Sequence, residues 1–239
     1  MRCLLKAWAV IFPYKKNVKS VLPFFVCARI TDMKIAVFLA PGFEEIEAFT
    51  VVDYLRRAGQ NVVTVSVPED GCPVEEVIVK GSHNITVTAD LLLKDFIKST
   101  ETAFPDAIYF PGGMPGAKNL ADNQFLFNFT IKMARSGRIV AAMCASPAVV
   151  LAHTGILTNR RWTCYPGMEA QLAKWCGSEL KANELTENST HIKNVPLVLD
   201  NNVLTGRGPG TAEQFAMKFV EMCAGEEVAR KIHDDSCQR

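Results

Sequence analysis

The chain has 239 residues, of which 49% are hydrophobic, and this size and composition suit one domain with a sizeable core. Its 26 basic and 25 acidic residues leave a formal net charge of +1, which gives no electrostatic case for binding nucleic acid or an acidic membrane surface. The 8 cysteines are scattered, without a CxxC pair or a Cys/His cluster at zinc spacing. This pattern predicts a reducing, cytoplasmic location and no metal site.

Residues 1–32 differ in composition from the rest of the chain, because they carry several Lys and Arg but no acidic residue before Asp32. Such a segment is typical of an organelle-targeting leader. Pro13 and the basic pair Lys15 and Lys16 interrupt its apolar runs, which argues against a secretory signal and against a membrane span. The alternative, which we favour, is a start-site artefact before Met33. We therefore predict a single domain over 33–239.

From residue 33 onward, apolar runs alternate with helical patterns, which is typical of an α/β fold with a mostly parallel sheet covered on both faces. The predicted elements, in chain order, are a strand at 34–39, a helix at 45–57, a strand at 61–67, a hairpin at 77–88, a strand at 106–110, a helix at 118–135, a strand at 139–142, a helix at 147–153, strands at 193–199 and 202–205, and a last helix at 212–223. Ligands of such folds bind beyond the carboxyl ends of the strands.

Cys144 lies at one of these ends, between the strand 139–142 and the helix that begins at Pro147. Small neighbours leave the corner uncrowded, as a tight nucleophile elbow requires. Ser146 is predicted to cap the helix, whose positive end favours the thiolate. We therefore interpret Cys144 as a reactive, strongly acidic thiol; the alternative is one more buried cysteine.

Several ordered motifs carry a family resemblance. "AAMCASPA" around Cys144 resembles the cysteine elbow of the ThiJ/PfpI superfamily, in the branch of the parkinsonism-associated deglycase and bacterial ThiJ-like proteins. The resemblance continues in "LAPGFEEIEA", "LRRAG", "YFPGG", "SGRIVAA" and "GRGPGT", over about residues 33–228. It implies a flavodoxin-like three-layer sandwich and a homodimer.

The resemblance also implies partners for the thiol. Glu47 is the carboxylate beside the reactive cysteine, and the apolar run after it suggests an inward side chain that keeps a proton. Its neighbours Glu44 and Glu45 are read as solvated acids that favour the helix start. Gly112 and Gly113 form a glycine loop after the strand 106–110, and Ala145 follows Cys144 in the elbow. The backbone N–H groups of these three residues are expected to stabilise an oxyanion.

Two departures from the family pattern bear on the chemistry. Tyr165 stands where many relatives have a histidine near the thiol, and Ala145 stands where protease-like relatives have one. His153 is interpreted as a helix C-cap rather than a base. We therefore expect no Cys-His dyad and no protease, but Cys144 with Glu47 and Tyr165 as an auxiliary hydroxyl.

The resemblance implies a cofactor-free enzyme for small aldehydes, either glyoxalase III-like with methylglyoxal or deglycase-like with early glyoxal adducts of amines. The alternative is an oxidative-stress sensor or chaperone-like protein that works through oxidation of Cys144. Both alternatives use Cys144 and Glu47, so the motifs do not separate them.

Overall fold

The structure, a computed structural model, describes residues 32–69 and 76–238. The predicted basic extension falls outside these ranges except for Asp32, and so do Cys3, Cys27 and Cys72. The division into an extension and a domain therefore stays a prediction. No helix in the described ranges is both long enough and apolar enough to cross a membrane.

Strands and helices alternate along most of the described chain. The strands are β1 (Lys34–Leu39), β2 (Asn61–Ser66), β3 (Ile78–Lys80), β4 (Thr86–Thr88), β5 (Leu91–Leu92), β6 (Ala107–Phe110), β7 (Ile139–Met143), β8 (Arg161–Trp162), β9 (Thr190–His191), β10 (Leu197–Asp200) and β11 (Val203–Gly206). The α-helices are α1 (Glu45–Arg57), α2 (Leu93–Thr100), α3 (Gly116–Asp122), α4 (Gln124–Arg135), α5 (Leu172–Cys176), α6 (Glu179–Leu185), α7 (Ala212–Ala224) and α8 (Glu226–Asp235).

The central sheet has the strand order β10-β11-β7-β6-β1-β2-β5 within the described residues. Its neighbouring strands pair in parallel, except that β10 runs antiparallel to β11 at one edge. The predicted α/β fold with a mostly parallel sheet is therefore confirmed. Because β7, β6 and β1 are adjacent and parallel, the loops that follow them meet at one edge of the sheet, where ligands of such folds bind.

The side chains of β1 show why the fold has three layers. Successive residues of a strand point to opposite faces of its sheet. Ile35, Val37 and Leu39 are buried in one core with residues of α1, α7 and α8. Ala36 and Phe38 are buried in the other core, with residues of α2, α4 and the segment after Cys144. The apolar run of this strand is thus covered on both faces, as in the predicted flavodoxin-like sandwich.

The structure confirms one of the less regular predicted elements, divides another and adds helices. The hairpin at 77–88 is confirmed as the antiparallel pair β3 and β4. The helix at 118–135 is two helices, because Asn123 adopts an extended backbone and caps α4 by accepting the Leu126 N–H at 3.1 Å. Helices α2 and α8 were not predicted.

Candidate active site

Cys144 occupies a sharp corner after β7. Its φ of +61° lies in the left-handed region, which costs a non-glycine residue about 1–3 kcal/mol and persists only where the surroundings impose it. Two neighbouring segments do so here. The Cys144 N–H donates to the Gly206 carbonyl at 2.9 Å, and the Cys144 carbonyl accepts the Tyr165 N–H at 2.7 Å. The thiol is therefore held at the carboxyl end of the sheet, as predicted.

The helix after the corner is less regular than predicted. It forms a π-helical turn over Pro147–Leu151 and a 3₁₀ turn over Ala152–Thr154. Ser146 does not cap it, because its backbone is already helical and its hydroxyl donates to the Pro111 carbonyl at 2.6 Å. This bond ties the elbow to the glycine loop instead.

His153 does not act as the predicted helix cap. Its imidazole packs against the ring of Phe127, with the ring centroids 4.7 Å apart. Its buried Nδ1 makes no hydrogen bond within 32–69 and 76–238. The predicted absence of a base role for His153 stays a prediction.

Glu47 lies on the first turn of α1 and is fully buried. Its Oε2 accepts the Gly112 N–H at 2.7 Å. Its Oε1 is buried without a hydrogen bond of standard geometry to any described residue, although the same carboxyl interacts with the Cys144 thiol. Burial raises the pKa of Glu47 to about 8, which the bonds from Gly112 and Cys144 only partly oppose. The inward side chain that keeps its proton at neutral pH agrees with the sequence prediction.

The two neighbouring acids are not solvated, which corrects the prediction. Glu44 and Glu45 are each only 6% exposed. Glu44 caps α1, since its Oε2 accepts the Glu47 N–H at 2.7 Å. Glu45 accepts the His83 N–H at 2.7 Å and binds the imidazole Nδ1 at 2.9 Å, which joins the β3–β4 hairpin to the helix start. Burial alone raises the pKa of Glu45, but these bonds outweigh it and lower the pKa.

The glycine loop positions the carboxyl and the sulfur. The N–H of Gly112 is used by Glu47, so it does not serve an oxyanion as predicted; Gly112 orients the carboxylate. A Cβ at this position would lie 2.6 Å from Cys144 Cβ and 2.7 Å from Glu47 Oε2, so only glycine fits between them. The N–H groups of Gly113 and Ala145 act on the sulfur itself, since they lower the pKa of the Cys144 thiol.

The thiol itself is not the strongly acidic group that the sequence predicts. Cys144 is 9% exposed, and this burial raises its pKa; negative charge on Glu47 raises it further. The N–H groups of Gly113 and Ala145 act in the opposite direction but do not compensate. Glu47 is neutral below a pH of about 8, so its charge no longer raises the pKa of Cys144 there. Burial is then the main cause of the raised pKa.

Tyr165 lies next to the corner. Its backbone N–H bonds to Cys144, its side chain is half exposed, and its ring lies against Gly208, where a Cβ would be 3.3 Å from Cδ2. The auxiliary role of its hydroxyl stays a prediction.

Two groups of side chains have the composition of a metal site, which the sequence spacing did not reveal. One is Glu44, Glu45 and His83, in which Glu45 and His83 are already joined by hydrogen bonds. The other is Cys164, Glu169 and His191, whose ligand atoms lie within 4.8 Å of one another.

Comparison with known proteins decides the family. The family model for "DJ-1/PfpI family" matches residues 33–222, which include the corner, the glycine loop and the start of α1. The chain belongs to the DJ-1/PfpI family. The resemblance found in the motifs is therefore confirmed.

Relatives within the DJ-1/PfpI family differ in length. The chain is 36% identical to "Protein DJ-1 homolog B" of Arabidopsis thaliana over 81% of its own length, but it spans only 39% of that protein. It is 31% identical to "Glutathione-independent glyoxalase DJR-1.2" of Caenorhabditis elegans, over 85% of this chain and 96% of that protein. The crystal structure of Drosophila melanogaster DJ-1beta has a TM-score of 0.72 at 30% identity and covers 86% of this chain and 98% of that one.

Proposed function

We propose that the protein is a cofactor-independent cysteine enzyme for small reactive aldehydes of the methylglyoxal class. Cys144 is the nucleophile and Glu47 is the proton carrier. The observation that carries the proposal is the Glu47 carboxyl, which is buried beside the thiol with Oε1 unbonded within the described residues. A carboxyl with a pKa of about 8 can both hold and release a proton near neutral pH, which suits acid–base catalysis.

The reaction divides into three steps without an external oxidant. The Cys144 sulfur attacks the aldehyde carbon, and the thiol proton moves to the carbonyl oxygen to give a hemithioacetal. Glu47, as carboxylate, takes the hydrogen of that carbon and returns a proton to the adjacent carbon, while the hydroxyl proton moves to the adjacent oxygen. The product is a thioester of lactate, which water hydrolyses to lactate and free thiol.

Backbone donors stabilise the charge that develops during addition. The N–H groups of Gly113 and Ala145, which favour the thiolate, are the donors that we expect to stabilise an oxyanion on the attacked carbon. Removing one such donor typically costs about 10²–10³-fold in rate. The relative named as a glutathione-independent glyoxalase supports this reaction class for the present chain. Deglycase-like removal of glyoxal adducts would use the same thiol and carboxyl.

A stress sensor or chaperone-like protein is the second candidate. A protonated Glu47 beside the sulfur could donate a hydrogen bond to a sulfinate formed by peroxide, which would hold oxidation at that stage. This function needs no aldehyde. It predicts selective oxidation of Cys144 without turnover.

Lactate formation from methylglyoxal separates the two candidates. Purified protein should form lactate over time, and Cys144→Ser should abolish it. Cys223→Ser is the matched control, because Cys223 is another buried thiol and should leave turnover unchanged. No lactate from the wild type would contradict the enzyme, and selective conversion of Cys144 to sulfinate by peroxide would then favour the sensor.

A further inference from the structure

A second polar cluster includes Cys164, which directly precedes Tyr165, the residue whose N–H bonds to the Cys144 carbonyl. Cys164 follows β8, His191 belongs to β9, and Glu169 lies in the 3₁₀ turn Met168–Gln171. The Cys164 sulfur is 3.7 Å from His191 Nε2, and His191 Nδ1 is 3.9 Å from Glu169 Oε1. The thiol therefore lies beside Nε2 and the carboxyl beside Nδ1, and one ligand atom from each of the three residues lies within 4.8 Å of the others.

These separations fit metal ligands, although the sulfur and Nε2 also lie within the distance of a thiol–imidazole hydrogen bond. Zinc–sulfur and zinc–nitrogen bonds of about 2.3 and 2.0 Å at a tetrahedral angle place the two ligand atoms about 3.5 Å apart. The observed 3.7 Å from sulfur to Nε2 is close to this value. In contrast, 3.9 Å is too long for a hydrogen bond from Nδ1 to Glu169, and this buried nitrogen has no hydrogen-bond partner in the described part of the chain.

The backbone holds the three residues in place. Strands β8 and β9 pair in parallel with Trp162 opposite His191, and the Ile192 N–H donates to the Trp162 carbonyl at 2.7 Å. The Trp162 ring also packs on the imidazole, with centroids 4.9 Å apart. Glu169 is fixed through Oε2, which accepts the Gly167 N–H at 2.7 Å and leaves Oε1 toward His191.

We propose that Cys164, His191 and Glu169 bind a thiophilic divalent metal ion of the zinc class. The ion binds the sulfur, one imidazole nitrogen and one carboxylate oxygen, and solvent supplies a fourth ligand. The thiol proton is released to solvent on binding, and the thiolate and carboxylate together neutralise the two charges of the ion.

Burial disfavours the Cys164 thiolate, so an ion must stabilise that charge when it binds. Burial raises the pKa of Cys164 to about 12, and the charge of Glu169 contributes to the shift. Burial also lowers the pKa of His191, which keeps the imidazole in the neutral form that binds metals. An ion would relieve the burial of thiolate charge, because it supplies positive charge directly at the sulfur.

The same three groups also have the order of a cysteine–histidine–carboxylate nucleophile. Cys164 is only 2% exposed, so a substrate carbon could not reach it, whereas a small ion can enter past the partly exposed Glu169 and His191. The site is separate from the proposed catalytic pair. Tyr165 links the two sites, because it follows Cys164 and its N–H bonds to the Cys144 carbonyl.

Titration of the full-length protein with Co²⁺ tests the proposal, because a thiolate ligand gives a sulfur-to-cobalt charge-transfer band. One equivalent of Co²⁺ should produce this band with the visible bands of a four- or five-coordinate ion, and Zn²⁺ should displace it. Cys164→Ser should remove the charge-transfer band. Glu169→Gln, at a partly exposed side chain, should weaken binding by at least about tenfold while preserving the fold.

Two variants serve as matched controls. Cys144→Ser and Cys176→Ser should leave the cobalt spectrum unchanged, since they remove the active-site thiol and a thiol on the nearby α5. A spectrum that is lost in Cys144→Ser and kept in Cys164→Ser would overturn the proposal. So would the absence of any charge-transfer band, or Co²⁺ affinity unchanged in Glu169→Gln. Should Cys164→Ser fail to fold, the Glu169→Gln titration alone decides between these outcomes.

Discussion

Glu47 makes the stability of the protein depend on pH in a predictable direction. Its pKa is about 8 in the folded chain against 4.5 as the ordinary value, so the folded state binds the proton more tightly. Between a pH of about 4.5 and about 8, the free energy of unfolding should therefore fall as pH rises, by at most about 1.4 kcal/mol per pH unit. Urea unfolding of the wild type and Glu47→Gln across this range measures both free energies of unfolding, and that of the wild type should fall relative to that of the variant as pH rises.

Glu45→Gln is the control for this titration. The folded-state pKa of Glu45 is lowered, so its contribution is present above the unfolded-state pKa and lost as pH falls. This variant should not reproduce the behaviour of Glu47→Gln. A constant difference between wild type and Glu47→Gln over the whole range would mean that Glu47 is ionised throughout.

The catalytic proposal makes unequal demands on Glu47 and Tyr165. Glu47→Gln should reduce methylglyoxal turnover by about 10²–10⁴-fold, because an amide cannot exchange the proton. Tyr165→Phe should cost only on the order of tenfold, the value of one hydrogen bond from a half-exposed hydroxyl. Steady-state lactate assays of both variants give the comparison. Equal losses would make the phenol essential and refute the assignment, whereas Tyr165→His should keep or raise activity.

Sequence reasoning at this scale succeeded for burial and failed for hydrogen-bond partners. The apolar run after Glu47 predicts an inward side chain, because helical periodicity is local. The hydrogen bonds join residues 35 to 65 positions apart in the chain. They connect Gly112 with Glu47, Ser146 with Pro111, and Glu45 with His83 in the hairpin. Pattern within one element carries no information about such partners.

At the scale of elements, the glycine loop should be the least replaceable connection. Gly113 has a φ of +87°, and a Cβ there would lie 2.5 Å from Glu44 N and still closer to Gly42 O. Both are backbone atoms, so no side-chain rotation relieves the contact. Gly113→Ala should destabilise the fold on the order of 3 kcal/mol or more, as measured by urea unfolding.

Gly177 separates backbone strain from crowding. It has a similar φ of +92°, but a Cβ there would meet nothing within 4 Å. Gly177→Ala should cost only about 1 kcal/mol, the penalty of the left-handed conformation alone. Comparable losses for the two variants would show that the contacts of Gly113 are relaxed in solution.

The strands of the central sheet were predicted more reliably than the helices. Long apolar runs such as β1 are visible because parallel strands are buried on both faces. The break at Asn123 went unnoticed, since the residues on both sides of it continue a helical pattern and the side chain that caps α4 is a single asparagine. Helices α2 and α8 are short, with 8 and 10 residues, so each offers only two or three turns of periodicity to detect.

At the scale of the whole molecule, the proximity of Cys164, Glu169 and His191 could not be predicted from the sequence. Cys164 and His191 are 27 positions apart, and no fixed spacing relates them because a turn, two helices and a loop intervene. The β8–β9 pairing that unites them involves only two residues in each strand. Such short elements give no periodicity to detect.

The family resemblance implies a homodimer, and we propose that α1 forms its interface. Ile46 is 57% exposed on this helix, beside a cavity of about 990 Å³ that α1 shares with α7 and α8. Ile46→Asp should lower the mass measured by light scattering after size exclusion from that of a dimer to that of a monomer. Leu180→Asp, at an 81% exposed position on α6, should leave the mass unchanged. A monomeric wild type would refute the proposal.

Ile46 and Glu47 are consecutive residues in the first turn of α1. The Ile46 side chain faces the proposed partner subunit, and the Glu47 side chain faces the Cys144 thiol. Subunit association and proton transfer would then share a single rigid support. Specific activity should accordingly fall on dilution below the dimer dissociation constant, and the rate of aldehyde consumption should rise faster than linearly with enzyme concentration. The amount of protein in a cell would in this way set the activity of each molecule as well as the number of molecules.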